Sequence, residues 1–253
     1  MSERHATFWD PDRQGIEAIL LRAEIGGWQE IYGGSNYNFV VGLLDPEFGE
    51  PGLAIYKPSR GEEPLWDFPA GNLFKRERAA YLLARFLGWP LVPPTVIRDE
   101  QPFGPGSMQL WVESAKGEHY FTMRDRGGFD FREMAAFDWL ANNADRKGGH
   151  CLLAPDGRVW SIDHGLTFNT EPRMRTVIWE YIGEPLPDSV CVGIERLVMA
   201  LDAPVAEVVE LVEMLGDEEV VELRRRARKL LKAGVFPDFP EGANYRPVPW
   251  PPV

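Results

Sequence analysis

Two cysteines, Cys151 and Cys191, are all the thiols in this 253-residue chain, and they lie far apart without metal-ligand spacing. That excludes a disulfide framework and a cysteine-built metal centre. Reduced thiols in a cytosolic protein are the simplest account. Positive charge is also scarce: 27 Lys and Arg stand against 39 Asp and Glu, a net −12. A broad nucleic-acid surface, or docking on anionic lipid through overall charge, has no support in that balance. No apolar run approaches the length of a membrane span. The opening Met1-Ser2-Glu3-Arg4-His5 leads into polar residues without the apolar core of a signal peptide, so the expected compartment is the cytoplasm.

What is present is ordinary globular material, 44% hydrophobic and 26% charged. The length suits one domain or two lobes sharing a cleft. In the first half, Tyr37 to Leu44 and Gly52 to Tyr56 read as a hairpin around the turn-rich stretch Asp45 to Pro51. Asn72 to Leu87 then changes period. Leu73, Phe74, Glu77, Ala80, Tyr81, Ala84 and Leu87 recur as one helix face, with Asn72 to start it and Gly88 and Pro90 to stop it. Val92 to Ile97 and Met108 to Val112 add two short strands. The second half is mainly helical, over Asp130 to Leu140, Val190 to Leu201, Val205 to Leu215 and Glu218 to Lys232. A hairpin at Leu152-Leu153 and Val159 to Ile162 turns through Pro155-Asp156-Gly157. The run Arg224-Arg225-Arg226 through Lys232 closes a helix that Asp217, Glu218 and Glu219 open, as a helix dipole favours. The proline-rich tail is either extended against the body or disordered.

Four charged residues stand where chemistry would need them. Lys57 ends an apolar strand and could reach phosphate oxygens. Glu77 lies on the buried helix face, where an unpaired carboxylate is costly and a lysine from a neighbouring strand is the fitting partner. Asp145 sits in the polar loop Asn142-Asn143-Ala144-Asp145-Arg146-Lys147-Gly148-Gly149-His150. Asp163 emerges at the end of Trp160-Ser161-Ile162. Either aspartate alone would suit a turn or a cap. Separated by one hairpin, they converge. Phosphoryl transfer requires one carboxylate to orient the accepting hydroxyl and another to hold the metal that neutralises the triphosphate. Gly33-Gly34-Ser35-Asn36, before the first strand, is a weaker sign of backbone amides approaching an anion.

The pattern DRKGGH…SIDHG resembles the DRHxxN…DFG pattern of the phosphatidylinositol 3- and 4-kinase-like branch of the protein-kinase-like superfamily, which includes HipA-like bacterial kinases. The resemblance runs from the Gly33-Gly34 region to about Asn169. It implies an α+β, two-lobed protein-kinase-like fold, with an N-lobe over residues 1–112, a C-lobe over 113–236 and a tail over 237–253. It implies ATP as substrate, with Mg²⁺ or Mn²⁺ as cofactor. Gly34 and Ser35 would approach the nucleotide, Lys57 would contact its α- and β-phosphates, and Glu77 would position Lys57. Gln109, Leu110, Trp111 and Val112 would form the hinge beside adenine. Asp145 would orient the acceptor hydroxyl, and Asp163 would chelate the metal.

Two departures from that pattern matter. The family's metal-binding asparagine falls on His150, and imidazole suits Mn²⁺ better than Mg²⁺. The family's histidine falls on Lys147, which either stabilises the transferring phosphoryl or is a solvated loop residue. His164, in place of the phenylalanine, reads as a packed, hydrogen-bonded side chain. Acceptor recognition is expected between Thr167 and Pro185, where Arg173, Arg175, Trp179 and Tyr181 lie. The leading expectation is transfer of phosphate to a hydroxyl of a protein or small molecule. Nucleotide sensing without transfer, and transfer of AMP, stay open as alternatives.

Overall fold

The computed structural model describes residues 7–31, 37–63, 71–100, 104–239 and 246–253. The expected glycine-rich segment, with Gly34 and Ser35, lies outside the described residues. The elements run α1 (Ile16–Arg22), β1 (Glu24–Ile31), β2 (Asn38–Leu44), β3 (Gly52–Pro58), α2 (Leu73–Leu87), β4 (Thr95–Glu100) and β5 (Gly104–Leu110). They continue with α3 (Tyr120–Arg126), α4 (Arg132–Ala141), β6 (Cys151–Leu153), β7 (Val159–Ser161), α5 (Asp188–Asp202), α6 (Ala206–Met214) and α7 (Asp217–Ala233). The α+β, two-lobed expectation holds. A five-stranded antiparallel sheet in the order β1-β2-β3-β5-β4 makes the first lobe, and helices with the small β6–β7 hairpin make the second.

Burial alternates along β3, with Gly52, Ala54 and Tyr56 fully inward and Leu53, Ile55 and Lys57 on the other face. That period of two delivers Lys57 to the cleft side while Ala54 and Tyr56 join Ile19, Leu20 and Val41 in the first core. β5 starts earlier than the sequence predicts, at Gly104 instead of Met108. The reason is a close approach: a Cβ on Gly106 would sit 2.6 Å from Lys57 O, so only glycine lets β5 pass β3 beside Lys57. β4 starts later, at Thr95, because Pro93 and Pro94 have no amide hydrogen for the ladder.

α2 corrects a second expectation, that of a single buried face. It is buried nearly all round, between the sheet and helices α5 and α6. Its cations meet acids from both lobes: Arg78 pairs with Glu17 of α1 at 2.6 Å and Glu210 of α6 at 2.7 Å, and Arg76 pairs with Glu219 of α7. α2 thus ties the sheet to the helical lobe, whose core takes in its C-terminal half. α7 carries Asp217, Glu218 and Glu219 in its first turn and Lys232 in its last, as expected. Residues 246–253 lie against the second lobe, with Val248 packed on its core.

Candidate active site

Helix α4 stops because Asn142 turns left-handed, at φ 48°. The loop that follows is held by its own asparagines. Asn142 donates to Asn169 O at 2.8 Å and Glu171 O at 2.7 Å, and accepts from Arg173 N at 3.0 Å. Asn143 donates to Asp138 at 2.8 Å and accepts from the Asp145 amide at 3.0 Å, a local turn that aims Asp145 outward. Ala144 N donates to Leu166 O at 2.8 Å, so the loop bearing Asp145 is fastened to the segment after Asp163.

Asp163 follows β7 at φ 62°, a conformation that aspartate tolerates better than most side chains. The turn places His164 N on Glu77 Oε2 at 3.0 Å. Glu77 receives Lys57 Nζ on its other oxygen, at 2.5 Å, and Lys57 also donates to Asp163 Oδ1 at 2.9 Å. One amine from the first lobe therefore joins α2 and the strand end of the second. Burial alone would lower the Lys57 pKa, but Asp163 and Glu77 outweigh it and hold the ammonium above the usual lysine value. Lys57 in turn holds Asp163 well below the ordinary carboxylate range, against the opposing effect of burial.

Lys57, Glu77, Asp145, Lys147 and Asp163 line one cavity of about 190 Å³. Lys147 reaches Asp145 Oδ2 at 3.0 Å, so it is paired and not a free loop lysine. Burial raises the Asp145 pKa, with Lys147 acting against it. His150 Nε2 lies 3.4 Å from Asp163 Oδ2, and burial, reinforced by Arg146, Lys147 and Lys57, pushes its pKa down to about 4. The neutral ring accepts the Lys147 amide on Nδ1 at 3.5 Å, so Nε2 carries the proton that faces Asp163. Asp163 has the oxygen chemistry for Mg²⁺, whereas His150 would bind a metal only in its other tautomer. Among the described residues no group of three His, Cys, Asp or Glu side chains is arranged to hold a metal.

The expected hinge sits outside that cavity. Gln109 commits its side-chain amide to Thr95 Oγ1 at 2.9 Å, and Leu110 is part of the sheet core. Trp111 donates its amide to Leu53 O at 3.0 Å, and Val112 packs against Trp160. Of the aromatics expected near an acceptor, Tyr181 is buried and its hydroxyl accepts the Phe131 amide at 3.0 Å, while Trp179 lies tilted against Phe239.

Arg146 has a role that its place in the sequence does not announce. Fully buried, it donates to Asp138 at 3.0–3.1 Å, to Ile162 O at 3.3 Å and to His164 Nε2 at 3.0 Å. His164 is the packed, hydrogen-bonded side chain expected, with Ser161 Oγ 2.8 Å from the same nitrogen. A charged residue between Asp145 and Lys147 resembles another cleft residue in sequence. Asp138, seven residues before Asp145 on a helix with an apolar face, is the one hint in the sequence of a buried partner.

The fold and cleft define a two-lobed α+β protein with a lysine held between two carboxylates at the lobe junction. No family model matches the chain. It is 38% identical over 275 aligned residues to Protein Rv2133c of Mycobacterium tuberculosis, covering 94% of this chain and 96% of that protein. The chain belongs to the Rv2133c family. Among solved structures, a crystal structure of the Helicobacter pylori proinflammatory kinase CtkA is similar at a TM-score of 0.47 and 11% identity, over 86% of this chain and 94% of that one.

Proposed function

We propose that the chain is an ATP-dependent phosphotransferase of the phosphatidylinositol 3-/4-kinase-like, HipA-related type, passing the γ-phosphoryl of ATP to a hydroxyl of a protein or small molecule. The observation that carries this reading is Lys57 Nζ between Glu77 and Asp163, with Asp145 lining the same cavity. Lys57 neutralises α- and β-phosphate oxygens, and Glu77 fixes where its ammonium stands. Asp145, with its pKa raised by burial, accepts the hydroxyl proton as the acceptor attacks. Lys147, 3.0 Å from Asp145 in the same cavity, would stabilise the charge that grows on the transferring group. Asp163, and His150 in its other tautomer, would hold the Mg²⁺ or Mn²⁺, which supplies charge neutralisation on the β- and γ-phosphates. With so few protein ligands, phosphate oxygens and water would have to complete its shell, as Mg²⁺ sites commonly require.

A second reading, nucleotide binding without transfer, draws on the Nε2 proton of His150 facing Asp163 where the family has an amide oxygen. Incubation of purified protein with ATP and each metal, followed by mass spectrometry and an ATP-hydrolysis assay, separates the outcomes. A phosphate adduct or turnover that disappears in Asp145→Asn supports phosphotransfer, and an AMP adduct redirects the reading to nucleotidyl transfer. Metal-independent ATP binding without turnover supports the sensor.

A further inference from the structure

The loop bearing Asp145 is clamped from outside by main-chain hydrogen bonds. Arg175 N donates to Asn143 O at 2.8 Å, Arg146 N to Arg175 O at 3.0 Å, and Val177 N to Arg146 O at 3.1 Å. The segment 175–177 therefore runs beside the loop as a short parallel bridge. Its outer amide, Thr176 N, donates to Pro247 O at 3.0 Å, and five residues further along the tail Pro252 O accepts Gly148 N at 2.7 Å. The tail thus closes a ring: catalytic loop, segment 175–177, residues 247–252, and back to Gly148.

Contacts at both ends show that this ring is fitted. A Cβ on Gly148 would stand 2.9 Å from the Phe121 ring and 3.3 Å from Pro252 O, so the site admits glycine and little else. Val248 packs on the C-lobe core between the two hydrogen bonds, and Pro249 is buried. Prolines at 247, 249, 251 and 252 leave the unbound tail few conformations to lose, so docking costs little entropy.

We infer that residues 247–252 are a positioning element of the active site, holding the main chain on either side of Asp145 and Lys147 in the geometry that transfer requires. The inference rests on the phosphotransferase reading for its catalytic consequence only. Strapping of the loop is measurable without any turnover. A small displacement of a catalytic group is costly in rate, so the effect belongs in kcat. Nucleotide affinity, set by Lys57, Glu77 and Asp163 across the cleft, should stay put.

The test uses three variants of the full chain: deletion of residues 246–253, Val248→Asp, which lifts the strap without touching the loop, and Gly148→Ala. Amide hydrogen exchange over residues 143–150 is expected to accelerate tenfold or more in each, while exchange in β2 and β3 stays unchanged. In the ATP assay, kcat is expected to fall at least tenfold with KM for ATP within twofold of wild type. Unchanged exchange in the loop overturns the inference. A rise in turnover on deletion also overturns it, because the tail would then be blocking an acceptor site. Lost stability with kcat intact reduces the tail to a packing element and likewise overturns it. If the wild-type chain turns over no ATP, the functional reading fails, and the exchange data alone decide whether the strap holds the loop.

Discussion

Arg146 and Asp138 form an ion pair at 3.0 Å in which neither side chain is exposed to solvent. The pair also collects Asn143, Thr176, His164 and Ile162 O, so it joins the loop of Asp145 to the strand end of Asp163. Breaking a buried pair by removing one partner leaves an uncompensated charge, at a cost of roughly 3–5 kcal/mol. Asp138→Asn should lose about that much in urea denaturation. A loss under about 1 kcal/mol would show that the guanidinium finds other compensation.

Asp145 predicts opposite signs for stability and activity. Its pKa is raised by burial, so ionisation costs the folded state and stability falls as pH rises through the carboxyl range. Asp145→Asn removes that cost at neutral pH. The melting temperature should hold or rise while transfer falls by about 10²–10⁴, the usual worth of a positioned acid or base. Parallel loss of stability and activity would assign Asp145 to the scaffold.

Glu17 offers a test of how α2 joins the lobes. Burial opposes its ionisation, but hydrogen bonds from Arg78 and Tyr81, with Arg85 nearby, lower its pKa below the ordinary glutamate value. A depressed carboxylate stabilises above its unfolded pKa and loses that share as pH falls through its folded one. Glu17→Gln should cost about 1.5–3 kcal/mol at pH 7, the range for hydrogen bonds to charged groups. The gap from wild type should shrink once pH drops below about 4.3. A gap that stays constant with pH would contradict the assignment.

The proposed phosphotransfer makes a metal preference testable at His150. With an imidazole beside Asp163 as the second proposed ligand, Mn²⁺ should support turnover better than Mg²⁺. His150→Asn should shift the ratio toward Mg²⁺. Equal rates with both metals, unchanged in the variant, would remove His150 from the metal site.

The parts of the site legible in sequence are those where a charge interrupts an apolar pattern. Lys57 at the tip of β3 and Glu77 on a helix face can be matched from their sequence contexts alone, and they are paired. The converging aspartates follow from one hairpin between them. Less legible are elements whose residues answer to distant neighbours. α1 has seven residues, too few for a repeating face, and the edge strand β1 has no buried residue, so its apolar side chains do not mark a core face. Gly104-Pro105-Gly106 looks like a loop, because the reason for its glycine is the passing backbone of Lys57. Arg146 has only Asp138, eight residues earlier on α4, as a hint in the sequence that its partner is buried.

The most direct test is calorimetric titration of ATP into wild-type protein and the Lys57→Met and Asp163→Asn variants, each with and without Mg²⁺ or Mn²⁺. Metal-dependent binding is expected in the wild type, with at least tenfold weaker binding in Lys57→Met and loss of the metal dependence in Asp163→Asn. Binding that ignores both the metal and the two substitutions, or no binding of ATP at all, would contradict the proposed function.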